Sequence, residues 1–400
     1  MNKRIKEDWI DSFIQSVSLS ASPKLFQKWA GISIIAGALE RKVWVDNAIG
    51  ILYPNLYVVT VAPPGVGKTL MTVKVREYWE ELDKAYVSAM SMTSASLIDE
   101  LHDSQKTLIK PQVTPSTITY NSLLISVNEL GDLLQEYDKA FMVNLTNLYD
   151  CHKYTQRRRG KDLHYEIPHT QINIFSGGVP TYFVKSLPEH AWEEGFLSRT
   201  LLIYSGEINI VDIFAKKEKK KELNKELVKD LQTVSNMYGE MEFSIEAKSA
   251  FGPWHLGGNA PNPIHPKLQH YNTRRSAHLL KLCMVASASR NDDLVITIGD
   301  YRRAFAWLLE AEAAMPDLFK AMASGGRATV MAETEHFILE AWLQNKKQPV
   351  PEYMLVRFLA TKIPTMEIPK FIELLITGKH LRKKVVPGVG ICYEPVGKKF

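Results

Sequence analysis

From Leu56 to Val61 the chain is β-branched and aromatic, from Ala62 to Thr69 it reads APPGVGKT, and from Leu70 to Leu82 it carries apolar residues at helical spacing with no Gly or Pro. A strand, a glycine-permissive loop and a helix in that order leave few folds open. Such a loop points backbone N–H groups at a phosphate, and the helix that follows adds its positive N-terminal end. Pro64, Gly65, Val66, Gly67, Lys68, Thr69 and Leu70 then form one binding unit. The backbone cradles the phosphates, Lys68 reaches the outer two, and the Thr69 hydroxyl ligates Mg²⁺. The pattern predicts a nucleoside triphosphate, ATP or GTP, with Mg²⁺ as ligand. Ala62 stands where a Gly is usual, which the loop accepts if that residue needs no positive φ.

The surrounding composition fits a soluble protein of several domains: 400 residues, 45% hydrophobic and 23% charged, enough for two or three domains. The formal charge of +5 is a mild excess that permits a polyanionic partner. Cys151, Cys283 and Cys392 lie far apart and signal neither a disulfide framework nor a clustered zinc site. The start, MNKRIKEDWIDSF, has no apolar signal core, and no eighteen apolar residues run together. These features predict a cytoplasmic chain that does not span a membrane.

Four regions follow from the patterning. Residues 1–50 read as an N-terminal helical segment, with Trp9, Phe13 and Ile14 at helical spacing and a second apolar-faced stretch from Pro23 to Leu39. Residues 51–210 alternate strand-like and helix-like runs, with strands at Val58 to Val61, Leu123 to Val127, Ile172 to Phe175 and Thr200 to Tyr204, the pattern of an α/β core with a largely parallel sheet. Residues 211–325 read as a helical lid, with a lysine-dense surface helix over Ala215 to Leu231, a loop over Gly252 to Pro266, and helices over Tyr271 to Ser289 and Ile298 to Met322. Gly325 and Gly326 read as a linker. Residues 329–400 read as three helices and two short strands around Pro387-Gly388-Val389-Gly390, a winged helix.

A phosphate cradle needs an acid on the metal side and a group that polarises water. Leu123-Leu124-Ile125-Ser126-Val127-Asn128-Glu129 is an apolar strand ending in such a pair. Glu129 takes the role of catalytic base, and Asn128, where an Asp is usual, reaches the metal through a water without adding negative charge. The strand Gln171 to Phe175 runs into Ser176-Gly177-Gly178. Ser176 or Asn173 is placed there to sense the γ-phosphate, and Ser176 is the residue named. Arg199, in Gly195-Phe196-Leu197-Ser198-Arg199 just before the last strand, is a candidate to stabilise charge on a neighbouring subunit's phosphate. Arg274 or Arg275, opening a lid helix, is a candidate second phosphate sensor.

Taken in order, PNLYVVTVAPPGVGKT, LLISVNEL, INIFSGGVP, EEGFLSRTLLIYS and RRSAHLLKLCMVAS resemble the helicase-like P-loop ATPases of phages and other mobile elements, often found beside primases, which share the motif order of AAA+ and superfamily-3-like helicases. The resemblance covers about Pro23 to Phe319. It implies a P-loop NTPase core of AAA+ or RecA-like type, a ring-shaped homo-oligomer, usually a hexamer, with ATP between subunits, and single-stranded DNA in the pore. A separate primase or polymerase is a plausible partner.

Two basic segments suit nucleic acid. Lys153 to Tyr165 reads as a β-hairpin with a basic tip, in which Arg157, Arg158, Arg159 and Lys161 pair with successive phosphates and Tyr154 and Tyr165 stack bases. In the tail, Lys379, Arg382, Lys383, Lys384, Lys398 and Lys399 suit either backbone binding or docking onto a partner. His255, His265 and His270 have no further ligand to complete a zinc set. The leading expectation is an ATP-driven motor on single-stranded DNA, a replicative helicase. A helicase loader or nucleotide-gated switch with weak ATPase, and an ATPase module acting on protein partners, remain as alternatives.

Overall fold

The run Leu56 to Val61 becomes the strand Tyr57–Val61 (β1), buried on both faces in the middle of a five-stranded sheet. The other strands are Gln105–Ile109 (β2), Thr117–Val127 (β3), Thr170–Gly178 (β4) and Thr200–Tyr204 (β5). Their order across the sheet is β2-β3-β4-β1-β5. The last four run parallel, and β2 pairs antiparallel with the early part of β3. Val87 adds an isolated parallel bridge to Leu124. Near-continuous apolar strands are what a parallel sheet covered on both faces requires. The protein is therefore mixed α/β, and the computed structural model describes residues 4–48, 50–109, 116–134, 138–158, 163–187, 189–192, 195–212, 214, 218–363 and 365–396. Among these, no helix is long and apolar enough to cross a membrane.

The chain divides into two compact units, residues 1–319 and 320–400. In the first, the helices Trp9–Ser16 (α1) and Lys24–Leu39 (α2) form where the apolar spacing places them. Trp9 and Phe13 are buried and stack at 5.5 Å, and the Trp9 indole N–H donates to the Leu227 carbonyl at 2.8 Å. The helix Glu218–Ser235 is thus pinned to the N-terminus through Leu227 and Leu231, while Lys221, Lys225 and Lys229 are exposed. Glu40 follows α2 with a φ of 49° and is buried. It accepts from Lys106 and from the Tyr120 hydroxyl at 2.7 Å, with Lys42 at 3.1 Å, tying the end of α2 to β2 and β3. Burial pushes its carboxyl up, but Lys42 and Lys106 more than offset this and leave it below the usual range.

Three local expectations need correction. Residues 43–47 and 50–52 are not helical: Val43–Asn47 pairs with Gly50–Leu52 and, in parallel, with Gly239–Glu240. The alternation of buried Val43 and Val45 with outward Trp44 and Asp46 is a period of two too short to stand out beside α2. The Gly252 to Pro266 loop starts later, because Ser244 caps a helix that runs from Ile245 through Pro253 to Leu256. Gly325 and Gly326 are no linker but lie within the helix Met315–Gln344. Each glycine costs a helix only about 1 kcal/mol against alanine, which the Ala-, Met- and Leu-rich flanks absorb.

The second unit contains the helices Glu352–Ala360 and Ile368–Thr377 and a three-stranded antiparallel sheet in which Gly390–Pro395 lies between Val350–Pro351 and Leu381–Val386. Ile338, Leu355, Leu359, Phe371, Leu375, Leu381 and Tyr393 fill its core.

Candidate functional site

The loop between β1 and the helix Lys68–Glu80 (α3) is shaped by two left-handed glycines, Gly65 at φ 84° and Gly67 at φ 82°. Ala62 is not among the positive-φ residues and its N–H donates to Gly178 at 3.1 Å, so the absent glycine is not needed at that position. Lys68 is buried, and its ammonium donates to the carbonyls of Ala62 at 3.0 Å and Pro63 at 3.1 Å, both within its own loop. Burial pushes its pKa down, and the Glu129 carboxylate pulls it partly back. Glu129 feels the converse: burial raises its pKa, Lys68 lowers it, and Asp132 raises it again. The two sequence-predicted residues from the ends of β1 and β3 are thus in one another's field. Thr69 and Leu70 sit in the first turn of α3 with exposed side chains, and Pro64 and Gly65 are exposed in the loop, whereas Val66 is buried.

Asn128 is held from below. The Thr72 hydroxyl lies 2.8 Å from Asn128 Oδ1, and the Ser126 hydroxyl donates to the Thr72 carbonyl at 2.8 Å. One turn of α3 is thereby locked to the end of β3. Gly177 belongs to the same contact: a Cβ there would lie 2.4 Å from the Asn128 carbonyl oxygen. A side chain at 177 would force β4 away from the end of β3. Ser176 pairs with Val127 on β3 and Val59 on β1, so it shares their face, opposite the one where Ser126 meets α3. It is fully buried and its hydroxyl has no hydrogen-bond partner among the described residues. Asn173, the other sensor candidate, accepts from the Leu56 N–H at 2.9 Å and so orders the entry to β1.

The arginines sort differently. Arg275 is fully buried, bound to Glu312 at 2.6 and 2.7 Å and to Asn262 at 2.6 Å, and so braces the helix Arg275–Ala288 against the helix Ile298–Ala313. Arg199 donates to Asp150 and to the Gly195 carbonyl, both at 3.0 Å, with its side chain 11% exposed. Arg274 meets the other oxygen of the same carboxylate at 3.3 Å. Reaching a neighbouring subunit requires Arg199 to leave Asp150. Buried Lys281 donates to Asn55 nearby and stands 4.1 Å over the Tyr149 ring.

His278 completes this cluster, with Nε2 donating to the Ser198 carbonyl at 3.1 Å and Nδ1 at 3.3 Å from the Tyr149 hydroxyl. Burial, reinforced by Lys281, Arg274 and Arg199, pushes its pKa down to about 3. An unfolded histidine takes a proton near its ordinary value of about 6.5, so between that pH and about 3 the unfolded chain binds more protons. His278 therefore favours the fold fully above pH 6.5 or so and loses that contribution as the pH falls, by about 1.4 kcal/mol per unit. Urea midpoints for wild type and His278→Gln between pH 7 and pH 4 check this: the variant's stability should fall less steeply with acid, and identical slopes would refute the assignment.

The hairpin forms as Tyr154–Arg158 against Leu163–Ile167. Arg159 and Lys161, between the two strands in sequence, lie outside the described residues, as do Lys398 and Lys399. Arg158 binds Asp99 at 3.1 Å and the Ala95 carbonyl at 2.5 Å, and the Tyr165 hydroxyl donates to Asp99 at 2.5 Å. These two residues clamp the hairpin to the helix Ser94–Asp103, and Tyr154 donates to Asn144 at 3.0 Å. The outward face carries Thr155, Arg157, His164 and Glu166. In the tail, Lys384 pairs with Glu394 at 2.7 Å and Arg382 with the same residue at 3.4 Å.

Four residues of these sites carry no mark in the sequence. Thr72 is one of several polar residues of α3. Asp150 has no motif around it. Ser22 and its neighbour Ala21 meet the phosphate loop from the N-terminal segment: a Cβ on Gly67 would lie 3.0 Å from the Ala21 carbonyl oxygen and 3.1 Å from Ser22 Cα. Only the pairing of distant segments reveals them.

Among the described residues no three His, Cys, Asp or Glu side chains gather to hold a metal by themselves. Mg²⁺ is commonly held by one or two carboxylates with waters and substrate phosphates, and Thr69, Asn128 and Glu129 suit that arrangement and no all-protein cage. No protein-family model matches the chain, and a search of curated proteins found no match.

Proposed function

We propose that this chain is an ATP-driven motor on single-stranded DNA with a P-loop core of AAA+ or RecA-like type, a helical lid and a C-terminal winged helix, acting as a replicative helicase of a phage or mobile element. The observation that carries the reading is a loop with two left-handed glycines that opens α3 at Lys68, where Lys68 and Asn128 both close on the bare Gly177 and Asn128 is fixed between β3 and α3. In this reading the loop N–H groups and Lys68 hold the phosphates, and Thr69 with water-bridged Asn128 holds Mg²⁺, which neutralises phosphate charge when bound. Glu129 accepts a proton from the attacking water. Arg199, released from Asp150, serves the neighbour's site in a homo-oligomer, a hexamer in the family resembled.

For DNA, Arg157 on the outward hairpin face and the tip residues Arg159 and Lys161 are the proposed phosphate contacts, with Arg158 as their support. The test is steady-state ATPase and oligonucleotide affinity for wild type and an Arg157, Arg159 and Lys161 to Ala variant that keeps the Arg158 clamp. DNA stimulation should vanish in the variant. The slope of log affinity against log salt should shrink by about 2, from three cations at about 0.7 each. ATPase indifferent to DNA in the wild type would sink the motor reading and favour an ATPase acting on protein partners. The loader or switch reading rests on Asn128, a neutral amide at the metal side, and is marked by ATP-dependent DNA binding with little turnover.

A further inference from the structure

A cavity of about 660 Å³ opens in the first unit between the strand pair Val43–Asn47 and Gly50–Leu52, the helix Ile245–Leu256 and the start of the helix Arg275–Ala288. No residue of the phosphate loop, nor Asn128 or Glu129, lines it. Its volume falls within the range of about 300–1,000 Å³ typical of small-molecule sites. Its walls are apolar, with Phe243, Phe251 and Leu280 among them, and Arg274 and Lys248 bring cations to it. The charge balance around Arg274 is uneven. Asp150, which also lines the cavity, is shared by Arg199 at 3.0 Å and Arg274 at 3.3 Å, and its carboxyl is further lowered by Lys281. Three cations thus share Asp150, while Asp46 is the second carboxylate of the lining, and Arg274 keeps a third of its side chain exposed. Lys248 is exposed on the opposite helix.

We infer that this cavity is a binding site for a small organic anion, an apolar ring system carrying one sulfonate, carboxylate or phosphate group. The ring system replaces water against Phe243, Phe251 and Leu280, where apolar burial is favourable. The anionic group meets the Arg274 guanidinium, whose planar fork suits bidentate oxyanions, with Lys248 as the second charge. Occupancy draws Arg274 from Asp150 and leaves that carboxylate to Arg199 alone. The ligand thereby acts on Arg199 as well, an effect that rests on the ATPase reading above, whereas binding does not.

The probe is 8-anilinonaphthalene-1-sulfonate, titrated by fluorescence into the full chain in the presence and absence of saturating ATP. The expected result is one saturable site, unchanged by ATP. Its affinity should fall at least about tenfold in Ala277→Trp, which fills the cavity, and by about 10- to 150-fold in Lys248→Gln if the charged bond is worth about 1.5–3 kcal/mol. Lys248 is exposed, so that variant remains informative even if Ala277→Trp does not fold. Equal affinity in wild type and Lys248→Gln, displacement of the dye by ATP, or binding without saturation overturns the assignment. In a parallel ATPase assay the dye should alter turnover in wild type and not in Lys248→Gln. Binding without any change in turnover keeps the site and removes only its link to Arg199.

Discussion

Glu129→Gln is expected to lower steady-state ATP hydrolysis by about 10²- to 10⁴-fold, the range for loss of a positioned general base, while ATP still binds. Gln keeps the shape of the side chain but cannot take a proton from water. The charge environment adds a second signature. Burial raises the Glu129 carboxyl and Lys68 only partly offsets this, so the base loses its charge above the usual carboxylate range. The rate should therefore rise with pH along an acid limb displaced upward from that of an ordinary glutamate, and the limb should disappear from the residual activity of Glu129→Gln. Lys68 has the opposite sign: burial lowers its pKa, so the alkaline loss of phosphate attraction comes earlier than for a free lysine. Measuring rate against pH for both proteins checks the sign and the assignment together. Wild-type turnover in Glu129→Gln would remove Glu129 from the chemistry and leave the end of β3 as a capped strand.

Lys68→Ala is expected to weaken ATP binding by about 10- to 150-fold for each charged hydrogen bond lost to a phosphate, from about 1.5–3 kcal/mol apiece. The structure adds a condition to that expectation. The Lys68 ammonium also holds the carbonyls of Ala62 and Pro63, so removing it frees the loop as well as deleting a charge. Isothermal titration with ATP, read alongside the unfolding temperature without nucleotide, separates the two. Weakened ATP binding with a nearly unchanged unfolding temperature supports the phosphate role. A lowered unfolding temperature with ATP affinity intact would make Lys68 a brace for its own loop.

The parts of this protein legible in its sequence are those where a local rule is strong. APPGVGKT requires glycines able to take positive φ and a helix directly after, and Gly65, Gly67 and α3 follow. The strand Thr200–Tyr204 has the bounds its β-branched run implies, and the basic hairpin pairs in register on either side of its turn. Legibility fails where two signals compete within a few residues. Val43 to Val45 is too short a period-two pattern to read after a long apolar helix, and Gly325-Gly326 looks like a break until the flanking helix formers are weighed.

Side-chain partnership is the other limit. Arg158, Arg199, Arg274 and Arg275 look alike as basic residues in suggestive places. Folding gives Arg158 to Asp99, lets Arg199 and Arg274 share Asp150, and buries Arg275 against Glu312. Which arginine is a brace and which keeps an open face depends on carboxylates tens to more than a hundred positions away, and no local pattern encodes that.

Legible from the sequence alone were the strand and helix around the glycine loop, the polar end of β3 at Asn128 and Glu129, and the alternation that becomes a largely parallel sheet, because each rests on backbone preference or on a period set within a few residues. The tertiary structure alone decided that β4 lies between β1 and β3, that Gly177 must be bare where it meets the Asn128 carbonyl, that Thr72 steadies Asn128, and that a cavity opens beside Arg274. Those features come from contacts between segments far apart in the chain, and their energies depend on burial and on charge pairs that exist only once the segments have packed.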